Sequence, residues 1–382
     1  MRYACNVDAA LTMAKILLSV NAAWNIVNFR AALVRALIAD GHEVIAAVGD
    51  DGWLPQVAAM GVRTIALPMA NRGMSPVADA ILFARYCRLM RRERPDVFLG
   101  WTIKPNIYGG LAAGLTGVAA INNISGLGTA FIRTNWLTRL VRSLYRLGLR
   151  RSSTIFFQNR HDRDLFVERG MARPGQAALL PGSGIDITHF DPALFDPPRS
   201  SPFRFLLIAR LIADKGVHEY VAAARAVRRI YPDVAFDVLG FLDVDNRTAI
   251  ARSTVEAWVA EGLITYHGAT DDVRPFIAAA DCVVLPSYRE GTSRVLLEAA
   301  AMATPAITTN APGCADVVQD GTTGLICNPR DADDLAAKLL SMIALGPSMR
   351  EGMGGAARDL ASTAFSDAKV VERYQQAIDR AL

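Results

Sequence analysis

The chain has 382 residues, 52% of them hydrophobic and 20% charged. At about 150 residues per domain this is length for two or three domains, and the hydrophobic share excludes wholesale disorder. Lys and Arg number 41 against 37 Asp and Glu, leaving +4, too mild a balance to imply a nucleic-acid partner. Cys5, Cys87, Cys282, Cys314 and Cys327 contain no C-x-x-C pair. Their scatter argues against zinc or redox motifs and suits reduced thiols in a cytosol.

No run of about 18 uncharged apolar residues appears, so no membrane span is expected. The first residues hold a weak apolar stretch, but Lys15 interrupts it, and Lys15–Val20 reads better as a first buried strand. Residues 1–13 are expected to be a disordered extension, with Met13 as an alternative start. Further strands are expected at His42–Val48, Val62–Leu67, Val97–Gly100, Ala119–Ile124 and Thr154–Gln158. Amphipathic helical stretches lie between them, such as Phe29–Asp40, closed by Gly41 as a C′ glycine. The alternation then starts again. Strands are expected at Arg204–Ala209, Ala235–Gly240, Ile264–His267, Cys282–Pro286 and Ala306–Thr309, with helices at Val217–Ile230, Arg247–Glu261 and Val295–Met302.

Strand–helix alternation implies parallel sheets covered on both faces. Two such series imply an α/β chain of two doubly wound, Rossmann-like domains facing a cleft. Residues 14–185 are the expected first domain and 203–365 the second. Residues 186–202, with Asp191-Pro192 and a run of Pro and Ser at 197–202, read as the linker between them. Charge divides the same way. Residues 1–190 hold 22 Lys or Arg against 12 Asp or Glu, and the remainder 19 against 25.

The most informative segment runs from Leu285 to Glu298. A buried strand ends at Pro286, Glu290 and Gly291 fall in a short loop, and Thr292 or Ser293 can cap the next helix. Amides at such a helix start suit a phosphate. Glu290 and Glu298 could grip different hydroxyl-bearing parts of one ligand; equally, Glu298 could simply pair with Arg294 at i,i+4. Arg210 directly follows the strand Arg204–Ala209, and Lys215 comes five residues later. A guanidinium and an ammonium at a strand's carboxyl end suit a diphosphate, although the same pair could be a solvated loop.

In the basic half, Lys104 and Asn106 follow another strand and could contact an anionic or hydroxylated acceptor; a plain turn is the alternative. Ser125-Gly126-Leu127-Gly128 and Asn21–Asn25, with Trp24, lack the spaced glycines of a dinucleotide fingerprint and remain loops at strand ends. Asp243-Val244-Asp245 looks like a D-x-D metal grip, but its polar loop favours coincidence. His42, His161, His189, His218 and His267 show no ligand spacing, so neither a metal nor a cofactor is expected. Within Arg133–Arg151, apolar residues recur near helical spacing beside Arg139, Arg142, Arg146, Arg150 and Arg151. Such a helix could lie on an anionic membrane surface or pack into the core with a solvated basic face.

Taken together these segments resemble the retaining nucleotide-sugar glycosyltransferases of family four, with the GT-B fold. The resemblance rests on Glu290 and Glu298 with seven residues between them, on Arg210 through Lys215, on Ala280 through Gly291 and on Pro305 through Gly313. Trp24–Arg30 and Thr102–Gly110 look like a subgroup acting on undecaprenyl-diphosphate-linked sugars. The resemblance implies that Arg210 and Lys215 neutralise the departing nucleotide diphosphate and that Glu290 contacts the donor sugar and Glu298 the ribose. It implies that the Gly291, Thr292 and Ser293 amides add to phosphate binding, with no metal and no separate nucleophile. Lys104, Asn106, Trp24, Ser125 and Gly126 would then line the acceptor side. The expected activity is transfer of a hexose or N-acetylhexosamine from a nucleotide sugar, UDP-linked by expectation, to a polyprenyl-diphosphate-linked saccharide in polysaccharide or glycan synthesis. Such an enzyme is expected at the cytoplasmic face of the membrane, with residues 366–382 crossing back as a helix onto the first domain. A nucleotide-sugar epimerase of the same fold and a non-catalytic nucleotide-sugar-binding protein are the alternatives; the intact Arg, Lys and paired Glu set argues against both.

Overall fold

The computed structural model describes residues 13–69, 75–126, 136–196 and 202–382; all but Met13 of the expected extension 1–13 and all but Pro202 of the Pro/Ser run 197–202 lie outside them. The chain divides into two compact units. Of the described residues, one gathers those up to Phe157, Arg163–Leu180 and Val370–Leu382; the other gathers Gln158–Asp162 and those from Pro181 to Lys369.

The first unit is built on seven parallel strands: β1 (Lys15–Val20), β2 (Glu43–Val48), β3 (Arg63–Ala66), β4 (Val97–Trp101), β5 (Ala119–Ile124), β6 (Ser152–Phe157) and β7 (Ala177–Leu179), in the order β3-β2-β1-β4-β5-β6-β7. These strands read as apolar runs because helices cover both faces. Ile16, Leu18 and Leu99 bury with the helix Ala31–Ala39, while Leu17 and Phe98 bury with the helix Pro76–Glu93 on the other side. The helix Asp367–Asp379 completes this core with Val370, Tyr374, Ala377 and Ile378. The Tyr374 hydroxyl accepts from Trp101 Nε1 and from Asn123 Nδ2, both at 2.9 Å, and its ring lies 5.0 Å from Phe156.

The second unit holds six parallel strands: β8 (Arg204–Ile208), β9 (Ala235–Leu239), β10 (Thr265–Tyr266), β11 (Cys282–Leu285), β12 (Ala306–Thr309) and β13 (Gly324–Cys327), in the order β10-β9-β8-β11-β12-β13. Alternate side chains feed opposite faces. Phe205 and Leu207 join a core with the helices Val217–Arg228 and Ala332–Ala344, whereas Leu206 and Ile208 join one with Arg294–Ala301 and Pro347–Ala364. Strand order reverses between β8 and β11. In open α/β sheets ligands bind at the carboxyl ends of the strands flanking that reversal.

The structure differs from the sequence reading in places. β7 and β13 were not expected. The helix Ala23–Phe29 starts inside the expected Asn21–Asn25 loop, and the expected helix Phe29–Asp40 is interrupted at Arg30 (φ −131°). A π-helical turn, Pro105–Gly109, stands where a plain turn was the alternative to an acceptor contact. The segment after Asp186 is not free-running: Phe190 is buried in the second unit, and Arg358 donates to Phe190 O at 2.8 Å and pairs with Asp191 at 3.3 Å.

Candidate active site

At the carboxyl ends of β8 and β11 the second unit brings two of the expected residues, Lys215 and Glu290, into contact, and Arg210 stands on the same loop as Lys215. Arg210 lies two residues past β8 with an exposed side chain. Lys215 ends a 3₁₀ turn, Ala213–Lys215, and its ammonium pairs with the Glu290 carboxylate, the two side chains being 19% and 15% exposed. The two loops meet because glycine lets them. Gly216 is left-handed (φ 72°), and a Cβ there would stand 2.1 Å from Pro286 O. Gly313 is likewise left-handed (φ 77°), and its Cβ would stand 2.4 Å from Glu290 O.

The loop carrying Glu290 is hydrogen-bonded along its length. Tyr288 N–H donates to Asp214 O and Glu290 N–H to Pro312 O, both at 2.9 Å. The Tyr288 hydroxyl donates to Glu219 at 2.7 Å, and Arg330 lies 4.5 Å over the Tyr288 ring. Burial first, and the Glu219 carboxylate second, hold the Tyr288 phenol well above its usual range, so it stays a donor. Cys314 beside the site is pushed up to about 12 by burial and stays a thiol.

Ser293 caps the helix Arg294–Ala301, its hydroxyl accepting from Leu296 N–H at 3.4 Å. Two of the three amides expected to face a phosphate are committed elsewhere. Ser293 N–H donates to Gly313 O at 3.0 Å and Thr292 N–H to Gln158 Oε1 at 3.2 Å. The cause is tertiary: neighbouring loops supply acceptors that a helix start alone does not reveal. Glu298 sits about one turn into that helix, 13% exposed, with Arg294 Nε at 3.1 Å from its carboxylate. The i,i+4 pairing weighed from spacing is therefore present. Arg294 also donates to Gly184 O at 2.6 Å, so it serves the backbone as well. Burial raises the Glu298 carboxyl above its ordinary 4.5, and Arg294 offsets part of that shift.

In the first unit, Lys104 and Asn106 have internal partners. Lys104 Nζ pairs with the buried Asp79 at 2.8 Å. Asn106, 1% exposed, donates to Asn123 O at 2.8 Å and accepts from Asn122 Nδ2 at 2.9 Å. Both therefore shape the strand ends from inside. Trp24 is 40% exposed, its N–H bonded to Asp51 at 3.0 Å. Ser125 and Gly126 follow β5 half-buried. Arg30, 5% exposed, lies 5.3 Å over the Trp101 ring. Asp243 is taken up by Arg252, Nε at 3.1 Å. Among the described residues no group of three His, Cys, Asp or Glu could hold a metal ion.

Sequence reasoning missed Gln158, Asn159 and Asp162. Asn159 caps the helix Arg160–Glu168, its Oδ1 accepting from Asp162 N–H at 2.8 Å. A cap residue followed three positions later by an acid is a readable helix-start signal.

The helix Trp136–Leu149 carries the arginine-rich segment; Arg133 lies outside the described residues. Val141, Tyr145 and Leu149 are buried, whereas Leu140 and Leu147 are exposed beside Arg139, Arg146 and Arg150. Arg146 donates to Gly170 O at 2.9 Å and Arg169 O at 2.8 Å. Among the described residues no helix is long and apolar enough to cross a membrane.

Two family models match. One described as "Glycosyl transferases group 1" covers residues 202–344, and a "Glycosyl transferase 4-like domain" covers 26–182. The chain is 23% identical over 378 residues, 95% of this chain and 97% of the relative, to an N,N'-diacetylbacillosaminyl-diphospho-undecaprenol alpha-1,3-N-acetylgalactosaminyltransferase of Campylobacter jejuni. It is 22% identical, over 73% of this chain and 74% of the relative, to a UDP-Gal:alpha-D-GlcNAc-diphosphoundecaprenol alpha-1,3-galactosyltransferase of Escherichia coli. Among solved structures it resembles a glycosyltransferase from Rickettsia africae (TM-score 0.79, 17% identity, 97% and 99% of the two chains). It also resembles Anabaena Alr3699/HepE solved with UDP and glucose (TM-score 0.75, 16% identity, 96% and 100%).

Proposed function

The chain belongs to the group 1 glycosyl transferases and has the GT-B fold, and from that premise we propose that it is a retaining enzyme of polysaccharide or glycan assembly. It moves a hexose or N-acetylhexosamine from a UDP-sugar to a polyprenyl-diphosphate-linked saccharide. The observation that carries this reading is the Lys215–Glu290 pair at the strand reversal of the second unit, with the exposed Arg210 on the same loop as Lys215. Two cations suit a leaving diphosphate, whose charge grows as the glycosidic bond breaks. Glu290, on the same ammonium, is placed to accept a hydroxyl of the sugar next to that phosphate. Glu298 takes the ribose. No side chain in this set is a nucleophile; retention follows from same-face attack, the departing phosphate taking the acceptor's proton.

The acceptor class is carried over from the Campylobacter and Escherichia relatives, whose names specify diphosphoundecaprenol-linked sugars. In the first unit Trp24, Ser125 and Gly126 lie at or just past the carboxyl ends of β1 and β5 and line the acceptor side. A lipid-linked acceptor is met at a bilayer. The exposed Leu140 and Leu147, with Arg139, Arg142 and Arg150 around them, give a face for the anionic cytoplasmic leaflet.

The test is turnover of a panel of UDP-sugars with undecaprenyl-diphosphate-linked saccharides, read by product mass and by the anomeric coupling of the new linkage. Release of UDP with an α-linked product from an α-linked donor is expected. Epimerised donor without transfer, or an inverted linkage, would overturn the reading.

A further inference from the structure

The Glu290 loop is also held from a second side, by the short segment Gln158–Asp162. Asp162 is fully buried, and its carboxylate receives the Arg289 guanidinium and Asn159 Nδ2, the latter at 3.2 Å. Asn159 Nδ2 also donates to Gly291 O at 2.8 Å. Thr292 Oγ1 donates to Gln158 O at 2.8 Å. A single buried carboxylate thus grips the residue before Glu290 by an ion pair and the residue after it through an amide. Taking a carboxylate and a guanidinium out of water carries a desolvation penalty that their attraction only partly offsets, so such a pair is a poor source of stability. Fixing geometry is what it does well, because both partners must sit in one arrangement to be satisfied.

We propose that Asp162 is a positioning residue for the transfer reaction: through Arg289 and Asn159 it fixes the backbone on both sides of Glu290, and so the place of the Glu290 carboxylate at Lys215. The inference rests on the donor-site reading. It separates two tasks within that site. Arg210 and Lys215 hang from the loop after β8 and bind the diphosphate, whereas the clamp governs only where Glu290 stands.

The experiment compares the native chain with Asp162→Asn, Asp162→Ala, Arg289→Ala and the double variant, measuring UDP affinity by calorimetry and kcat and KM for transfer. Misplacement of a reacting group by about 1 Å can cost about 100-fold. Asp162→Ala should therefore lower kcat roughly 10- to 100-fold while UDP affinity stays within about threefold. Asp162→Asn keeps one oxygen to accept from Arg289 but turns an NH2 toward the Asn159 amide, so it should recover only part of the loss. The double variant should be little worse than either single, the mark of residues that act through one another. A folded Asp162→Ala chain with native kcat overturns the inference. So does a loss of UDP affinity as large as the loss of kcat, which would mean general damage. If Asp162→Ala does not fold, the Asn variant and Arg289→Ala decide: native kcat in both overturns it. A native chain that neither binds UDP nor transfers sugar would fail the donor-site reading itself.

Discussion

The Lys215 ammonium and the Glu290 carboxylate pair across 75 residues of sequence, each side chain less than one-fifth exposed. On the proposed donor reading, a diphosphate bound by Arg210 would compete with Glu290 for that ammonium. The two residues should therefore respond oppositely to substitution. Lys215→Ala should weaken UDP binding and lower kcat/KM by about 100- to 1000-fold, or roughly 3–4 kcal/mol. Glu290→Gln should bind UDP at least as tightly as the native chain, because Lys215 is released, yet lose most of kcat. Calorimetry beside steady-state kinetics distinguishes the two; near-native turnover of either variant would remove it from the mechanism.

Glu298 gives the site a pH dependence. Its carboxyl titrates above the ordinary 4.5 because burial disfavours the charge. On the proposed donor reading the ribose hydroxyl needs this carboxylate as acceptor, so the donor KM should rise as pH falls through this raised value. The Glu298→Gln variant should show a flat profile there. Stability runs the other way. For a group whose pKa is raised by folding, the contribution is full below 4.5 and is lost as pH climbs through the raised value. The native chain should accordingly lose stability relative to Glu298→Gln between those limits, as followed by urea denaturation at several pH values.

Activity should persist in a chelator. Asp243 is held by Arg252, which leaves the D-x-D segment poorly placed to grip a cation with both carboxylates. Transfer assayed with and without EDTA checks this, and restoration by magnesium or manganese after a loss would return Asp243-Val244-Asp245 to the site.

Binding to the bilayer should depend on arginines whose heads stay in solvent. Arg146 is tied to two carbonyls, and Arg151 donates to Gly114 O. The informative variant is therefore Arg139→Gln, Arg142→Gln, Arg150→Gln. At about 1 kcal/mol per basic residue near an anionic surface, it should lose roughly 100-fold in affinity for anionic liposomes by flotation. The native chain should detach as salt rises, since screening acts over about 8–10 Å. Equal flotation of the two proteins would assign this helix to packing alone.

Tyr374→Phe should destabilise the first unit by roughly 2–4 kcal/mol, because Trp101 Nε1 and Asn123 Nδ2 each lose a buried partner and an unsatisfied buried donor costs about 1–3 kcal/mol. Thermal unfolding followed by tryptophan fluorescence reads this directly.

Both sheets were legible because buried parallel strands are apolar throughout: Ile16–Val20 and Cys282–Leu285 announce themselves. β7 and β13 were not, being three and four residues long and half-buried in part. Arg210, Lys215 and Glu290 were legible because each follows a strand end, where polar residues stand out against the apolar run. Asn106 looked like a ligand contact for the same reason, but its polarity serves Asn122 and Asn123 on the next strand. Lys104 finds Asp79 twenty-five residues away, and Asp162 finds Arg289 at a distance of 127. No local spacing encodes such partners; they exist only once the chain has folded.

The last turns of the chain also set a timetable for its synthesis. Tyr374, Ala377 and Ile378 close the core of the first unit, yet a ribosome delivers them only after polymerising the whole of Pro181–Lys369. At about 5–20 residues per second, the nascent first unit spends on the order of 10–40 s with the apolar ground beneath that helix uncovered. During that interval the Trp101 indole and the Asn123 amide lack the hydroxyl that Tyr374 later supplies. Native closure of the first unit thus waits on synthesis of the second, even though most of its sequence emerges first.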